Sequence, residues 1–507
     1  MNFTPKIDLS EEDVDRGLKL VVRDGIASEM MTTLTGGAFL VSLALLMGAS
    51  NFQIGLIVAL PTLANLFQLV AIYLVHRFAN RRAITVLGLT LSRLPLLLIA
   101  TLPFLFPEEL GIVLLIGFLF LHQFFGAIAG TSWSSWMKDL VPESILGEYF
   151  SNRSRKIMIV AASLSLIAAV SLDYVEANYE ENLHVAYTVM FLFAGVVGLY
   201  GASLLARTPE PKIYPIRKNL FRLFAQPIKD HNFRNLLIFN SLWAFAVNLA
   251  TPFFTVYMLK MLGFPIAYVI VFTIISQLAN IFFIRIWGRY SDKYSNKTVL
   301  RTAAPIYLIA ILGWTFTTFP DEHLLTIPLL VIIHILSGIS LSGINLALSN
   351  IGYKLAPGKQ DAIVFLSTRA LVTAFFSGIA PVIGGLFADF FSRRQLNWNI
   401  EWDSPAGDRI IHTLSLQSWD FFFVTAFLFG IFSLSRLSIV QEKGEAKRRV
   451  VMGELLSEVG REARSMSALS SLKTMAFLPF SFFTLIAGKE RRRRPRRGVA
   501  KREQPDV

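Results

Sequence analysis

The chain has 507 residues, of which 54% are hydrophobic and only 16% charged, where an average soluble domain carries roughly 25% charge, and this argues against a soluble protein. With no cysteine in the sequence, disulfides, thiolate nucleophiles, zinc fingers and iron–sulfur clusters are excluded together. A net charge of +13 would suit nucleic acid, so the placement of the charges decides what they are for.

Residues 1–24 are polar and include Asp8, Glu11, Glu12, Asp13 and Asp15, which the basic start and apolar middle of a secretory signal would not tolerate. They are expected to form a cytoplasmic N-terminal segment. A hydrocarbon core about 30 Å thick takes roughly 20 apolar residues per helix. Windows of that kind follow twelve times, at about 25–50, 53–75, 83–106, 110–137, 153–175, 184–206, 233–260, 266–287, 299–319, 325–350, 361–391 and 418–440. Helix breakers such as Pro107, Pro209, Pro211, Pro265 and Pro320 stand in the connectors, of which 207–232 and 392–417 are the longest. The first of these divides the helices six and six, into bundles 25–206 and 233–440 joined by a linker, with a basic tail at 441–507.

If the N-terminus is cytoplasmic, loops on that side hold 42 of the 48 Lys and Arg and the opposite loops hold 4, with Arg93 and Arg369 inside helices. The positive-inside rule then places both termini in the cytoplasm of a cell (inner) membrane. The basic excess becomes a topology signal, and no nucleic-acid partner is expected.

The chain also repeats itself. Leu63, Ala64, Asn65 and Phe67 recur as Leu278, Ala279, Asn280 and Phe282, and Leu140, Pro142 and Phe150 recur as Leu355, Pro357 and Phe365, in both cases at an offset of 215. The connector Arg77, Phe78, Asn80, Arg81 matches Lys293, Tyr294, Asn296, Lys297 at an offset of 216. An offset spanning an even number of helices relates two like-oriented halves by an axis along the membrane normal.

The connector after the eighth window reads Gly288, Arg289, Tyr290, Ser291, Asp292, Lys293, Tyr294, Ser295, Asn296, Lys297. It resembles the Gly-x-x-x-Asp-Arg/Lys-x-Gly-Arg/Lys-Arg/Lys signature of the major facilitator superfamily of secondary transporters. The equivalent stretch from Tyr73 to Arg82 keeps Arg77, Arg81 and Arg82 but has His76 where that family usually has Asp. Residues Trp133 to Glu143, with Tyr149, Phe150 and Arg153, are similar to those of bacterial members without an assigned substrate. The resemblance covers about residues 25–440. It implies an all-α integral membrane fold of twelve helices in two pseudo-symmetric halves, and transport of a small solute by alternating access.

In that fold the first, fourth, seventh and tenth helices line a central cavity. The resemblance therefore singles out Glu29, Thr33 and Gly36; His122, Gln123 and Trp133; Asn240, Trp243, Asn248 and Thr251; and His334, Gly338, Asn345 and Ser349. The last four step by four, seven and four positions and so keep one helix face. A solute stripped of water needs such polar partners near the midplane, although the same side chains also glue helices together. His122 maps onto Ser337, less than a turn from His334, so two near-equivalent histidines are expected to face one cavity, where they would bind solute or relay a proton.

Glu29, roughly a turn inside the first helix, is the expected proton carrier, because a carboxylate there is costly unless paired, solvated or protonated. Arg93 lies deep in the third helix and needs a partner or an aqueous cavity. Gly378, Pro381, Gly384 and Gly385 in the eleventh helix are read as permitting close packing and bending.

Under the same repeat, His76 and Asp139 correspond to Asp292 and Lys354, so the acid changes places between the halves. Two cytoplasmic gate clusters are expected: Asp139 with Arg77, Arg81 or Arg153, and Asp292 with Lys354, Lys297 or Arg369, Lys293 lying beside them. In the tail, Met475 to Ala487 is too short to span and carries Pro479; followed by Arg491 to Arg497, it reads as an interfacial segment, 475–487, on anionic lipid. No phosphate-binding loop, His-Glu-x-x-His or dinucleotide fingerprint is present, so neither enzyme chemistry, metal nor cofactor is expected. The protein is expected to act as a monomer whose partners are the bilayer, a small solute and a coupling ion, H+. The competing reading is a non-transporting receptor or membrane assembly factor on the same fold.

Overall fold

The computed structural model describes residues 5, 9–212, 226–318, 325–356, 358–402, 409–417 and 419–445, together with 453, 454 and 457. All twelve helices long and apolar enough to cross a membrane among them belong to one unit, residues 1–445. They are α1 (Glu11–Leu46), α2 (Asn51–Phe78), α3 (Arg81–Ile99), α4 (Glu109–Leu140), α5 (Glu143–Asn178), α6 (Glu180–Ala206), α7 (His231–Met261), α8 (Ile266–Lys293), α9 (Asn296–Thr318), α10 (Thr326–Leu355), α11 (Val364–Phe391) and α12 (Trp419–Leu437). The expected interfacial segment 475–487, the arginine run and linker residues 213–225 lie outside the described residues.

The first helix starts far earlier than the hydropathy windows place it. Residues 11–24 are polar on average, but Val14, Leu18 and Val21 recur at helical spacing. Ser10 caps the helix by accepting from the Asp13 amide at 3.2 Å. Leu18 and Val21 then bury against Val86, Trp136, Met137, Leu140, Val141 and Leu205. An average over a window hides a stripe of this kind. Within α1 the helix breaks at Gly36, followed by Gly37 at φ +54°, a left-handed conformation that costs glycine little.

The helices pack in a pattern that repeats six helices later. In the first half α1 packs on α5 and α6, α3 on α4 and α6, and α2 on α4; in the second, α7 packs on α11 and α12, α9 on α10 and α12, and α8 on α10. The halves meet chiefly through α2 with α11 and through α5 with α8, and these two contacts are equivalent under the same shift. Call the end where α1 begins and α12 finishes the basic end, and the other the far end. The α2–α11 contact lies towards the far end and is made by backbone: a Cβ on Gly55 would meet the Pro381 carbonyl, and one on Gly378 the Leu63 side chain. Gly384 turns to α7, where a Cβ would reach the Leu249 carbonyl at 2.8 Å. The glycine-rich run of α11 thus lets it pass between α2 and α7.

One element was not expected. The connector between α11 and α12 forms an antiparallel hairpin, β1 (Gln395–Trp402) with β2 (Arg409–Gln417), whose register shifts between Trp398 and Asn399. Residues 403–408, between the two strands, are not among the described residues.

At the basic end each half closes one helix N-terminus with a carboxylate from the chain that follows its own sixth helix. Glu210, after α6, accepts from the Arg81 amide at 2.7 Å and the Arg82 amide at 3.1 Å. Glu442, after α12, accepts from the Asn296 amide at 3.2 Å and the Lys297 amide at 2.7 Å. These amides are the first two of α3 and α9 and stand 215 residues apart, so the structure pairs Arg81 with Asn296 where the sequence match at 216 pairs it with Lys297. A helix N-terminus has free N–H groups and a positive dipole end, and a carboxylate answers both. Each following base then reaches back to carbonyls of the same segment, Arg82 to Thr208 at 3.2 Å and Lys297 to Ser438 at 3.1 Å. Because Glu210 is 1% exposed and also faces the buried Arg81, Glu210→Ala is expected to cost about 3 kcal/mol. This would read as a fall in the thermal unfolding midpoint of detergent-purified protein, with the exposed Glu109→Ala as an unchanged reference.

Candidate functional site

The residues expected to line one cavity divide between packing interfaces and open surface. His122, on α4, sits against α3: its Nδ1 donates to the Ser92 carbonyl at 2.7 Å, and the Ser92 hydroxyl donates to the His122 carbonyl at 2.8 Å. A carbonyl only accepts, so Nδ1 carries the proton. His334, on α10, donates to its own Leu330 carbonyl at 2.8 Å and stacks on Phe272 of α8 with centroids 5.0 Å apart, with Trp314 of α9 edge-on at 5.5 Å. The two histidines therefore sit in intra-half helix contacts and do not face one another. The two are three residues out of register in the repeat, and each turns to neighbouring helices of its own half, His122 to α3 and His334 to α8 and α9.

The polar stripe of α10 also divides. Gly338 admits the backbone of α8, since a Cβ there would overlap the Ser276 carbonyl, whereas Asn345 and Ser349 are exposed. On α7, Asn240 and Trp243 are each 4% exposed. Trp243 lies 6.3 Å from the Tyr307 ring of α9, and the Asn240 Oδ1 has no hydrogen-bond partner among the described residues. Asn248 donates to its own Ala244 carbonyl at 2.8 Å, and Thr251 bonds the Tyr307 hydroxyl at 2.9 Å. Thr33 and Gln123 are half-buried.

A charged constellation gathers on α1 instead. Arg93 of α3, 1% exposed, donates to the Ser28 hydroxyl at 2.7 Å and to the Gly198 carbonyl of α6, and its guanidinium stands 3.8 Å from the Asp24 carboxylate. Ser28 in turn donates to Asp24 at 3.2 Å. The partner that Arg93 requires is thus Asp24, which sequence reasoning missed because it fell just before the first apolar window. Two signals were available: Asp24 and Ser28 lie one turn apart, and a buried arginine demands an acid. Small residues of α6 make the room, since a Cβ on Gly201 would reach Asp24 at 2.9 Å and one on Gly198 would reach Arg93 at 3.1 Å.

One turn on, Glu29 is half-buried and has no hydrogen bond or salt bridge among the described residues; the charge acting on it is Arg153 of α5. Arg153 lies over the Trp133 ring at 5.1 Å and crosses α1 where Gly25 has no side chain; a Cβ there would meet the guanidinium at 2.5 Å. The Trp133 Nε1 is buried without a partner among the described residues. Arg369, the equivalent of Arg153 in the second half, donates to the Leu348 carbonyl and lies against Gly352 of α10. Each half therefore presents an arginine from its fifth helix to its fourth.

Of the pairings expected at the gates, Asp139 with Arg81 forms, whereas the bases of the second half pair with acids other than Asp292. Arg81 bonds Asp139, Glu210, the Ser135 carbonyl at 2.9 Å and the Pro211 carbonyl at 2.9 Å, all within the first half. Arg77 and His76 are exposed. In the second half Asp292 is exposed and makes no ion pair among the described residues. Lys297 pairs with Glu445 at 2.7 Å and Lys354 with Glu442 at 3.6 Å, while Lys293 lies over the Tyr294 ring at 5.0 Å. The acids that meet these bases are Glu442 and Glu445, which follow α12, and Glu442 also takes the leading amides of α9.

Twelve spans, the shifted repeat of their packing and an α2–α11, α5–α8 seam can be compared with known proteins. A search of curated proteins finds no match by sequence. Among solved structures, the chain is similar to the nucleoside transporter NupG, at 12% identity and a TM-score of 0.59 over 84% of this chain and 98% of that one. It is also similar to a bacterial homologue of the human lysosomal transporter Spinster, at 13% identity and a TM-score of 0.57 over 84% and 95%. The xylose transporter XylE from E. coli matches at 13% identity and a TM-score of 0.53 over 85% and 100%. The sequence profile of the Major Facilitator Superfamily matches residues 25–368. On that match, together with the fold, the chain is a multi-pass membrane protein of the Major Facilitator Superfamily.

Proposed function

We propose that this transporter moves a small polar solute by alternating access, driven by protons, in a cell membrane with its basic end in the cytoplasm. The observation that carries this reading is the one-sided seam. The hydrogen bonds seen between the halves are concentrated at the far end, where Asn51 and Phe52 meet Asp389 and Ile266 and Ala267 meet Asp173. At the basic end the ion pairs of Arg81, Lys297 and Lys354 stay within their own halves. Two like-oriented halves whose hydrogen bonds to each other, among the described residues, lie at the far end correspond to a carrier open on its basic side. The distribution of Lys and Arg makes that side cytoplasmic.

Glu29 is the proton carrier in this reading. Asp24 is held by Arg93 and Ser28 and compensates a buried charge, whereas Glu29 has no such tie and lies where Arg153 can answer its ionisation. Glu29→Gln is expected to abolish accumulation driven by a pH gradient in proteoliposomes while leaving solute exchange, because the amide resembles the protonated acid. Asp24→Asn should instead cost about 3 to 5 kcal/mol of stability, since it strands Arg93. Proton-driven uptake that survives Glu29→Gln would remove Glu29 from the mechanism.

The solute is sought with nucleosides, pentoses, amino acids, organic acids and cationic drugs, the first two because similar folds carry them. Saturable binding without translocation of any of these would favour the receptor reading. In the same preparations, single cysteines placed at Asn345 and Ser349 are expected to react with a polar thiol reagent and those at His122, Trp243 and His334 to be protected. The cysteine-free background makes the labelling unambiguous, and protection at Asn345 and Ser349 would place the solute path elsewhere.

A further inference from the structure

At the far end, α2 and α8 each begin with N–H groups that their own half does not fully satisfy. In α2, Ser50 accepts from the Gln53 amide at 3.2 Å and Gln53 returns the bond, a capping box that leaves the first two amides over. Asp389 of α11 takes them, Asn51 at 3.2 Å and Phe52 at 2.9 Å, and also accepts from the Asn51 side chain at 2.9 Å. In α8 the residue before the helix is Pro265, which offers no side-chain acceptor. Asp173 of α5 takes the Ile266 and Ala267 amides, both at 2.8 Å.

The two arrangements are one arrangement repeated. Asp389 follows Asp173 at an offset of 216, and the amides they accept from correspond at an offset of 215, which is the repeat of the two halves. Each carboxylate belongs to one half and each capped helix to the other, so every one of these bonds crosses the seam. The basic-end caps by Glu210 and Glu442 have the same chemistry but stay within a half. Only the far-end pair is therefore broken when the halves part there.

We propose that Asp173 and Asp389 are positioning residues of the transport cycle, a paired latch that holds the far end shut by capping the partner half's helices and must release for that end to open. The chemistry suits a latch. A carboxylate on two amides is directional and charge-assisted, so it is lost within a small displacement. On release the carboxylates and the freed amides take water in exchange, so opening costs little more than the difference. The proposal rests on alternating access, but its test needs no solute, so failure to find a transported compound would leave it standing.

Spin labels on cysteines replacing Glu109 and Met261, exposed far-end residues of opposite halves, report the opening as a distance in purified protein. Asp389→Ala is expected to raise the ratio of open to closed molecules roughly fivefold, Asp173→Ala by a similar factor, and the double variant by about the product, as for independent caps. Asp389→Ala leaves the capping box of α2 in place, so folding is preserved. For α8, adding Pro265→Ser to Asp173→Ala supplies a cap from within its own half. That variant is expected to recover thermal stability while its far end stays open. An unchanged distance distribution in the double variant, or closure recovered by Pro265→Ser, would show that the carboxylates serve helix stability alone and overturn the latch.

Discussion

The first turn of any helix leaves N–H groups without partners. How those groups are satisfied organises much of this protein. Among the described residues, four helices, α2, α3, α8 and α9, have leading amides met by a carboxylate from elsewhere in the chain. The source of that carboxylate differs by end. At the basic end it comes from the strand of chain leaving the same half, which fixes α3 to the exit of α6 and α9 to the exit of α12. At the far end it comes from the opposite half. One chemical solution thus builds rigid halves on one side and a separable joint on the other.

Burial of charge is the second constraint, and it separates residues that look alike in sequence. Asp24 and Glu29 are acids little more than a turn apart on α1, yet one is bound into a network with Ser28, Arg93 and α6, and the other is left beside Arg153 with no bond of its own among the described residues. Stripping a partner from a buried pair is costly, while a loosely held carboxylate can change its protonation without collapsing its surroundings. Glycines decide which of these environments forms. Gly198 and Gly201 bring α6 close enough to enclose Asp24 and Arg93, and Gly25 opens the passage through which Arg153 reaches α1. The chemistry of the charged groups therefore depends on residues that carry none.

Much of this was legible in the sequence, and the limits have physical causes. Twelve apolar blocks, the basic bias of alternate loops and a nearly constant offset between matching segments determined a twelve-helix membrane protein in two like halves. Hydrophobic length, loop charge and duplication are each written along the chain and need no partner to be read. The start of α1 escaped because three apolar residues in a polar stretch form a stripe and not a block. The hairpin at 395–417 escaped because it sits inside a connector defined only by its low hydropathy.

What the tertiary structure alone decided is which neighbour each polar group meets. His122 and His334 lie within a turn of matching places in the repeat, but whether such places face a cavity or a helix depends on how far adjacent helices are rotated, and spacing along one helix does not contain that angle. Asp292 stands in the signature connector, yet Glu442, a residue with no motif around it, takes the helix amides because it lies over them in space. Asp173 and Asp389 look like ordinary acids near helix ends. Their role follows from a seam between halves that no single helix encodes, since it exists only once two copies of the same six-helix pattern are packed against each other.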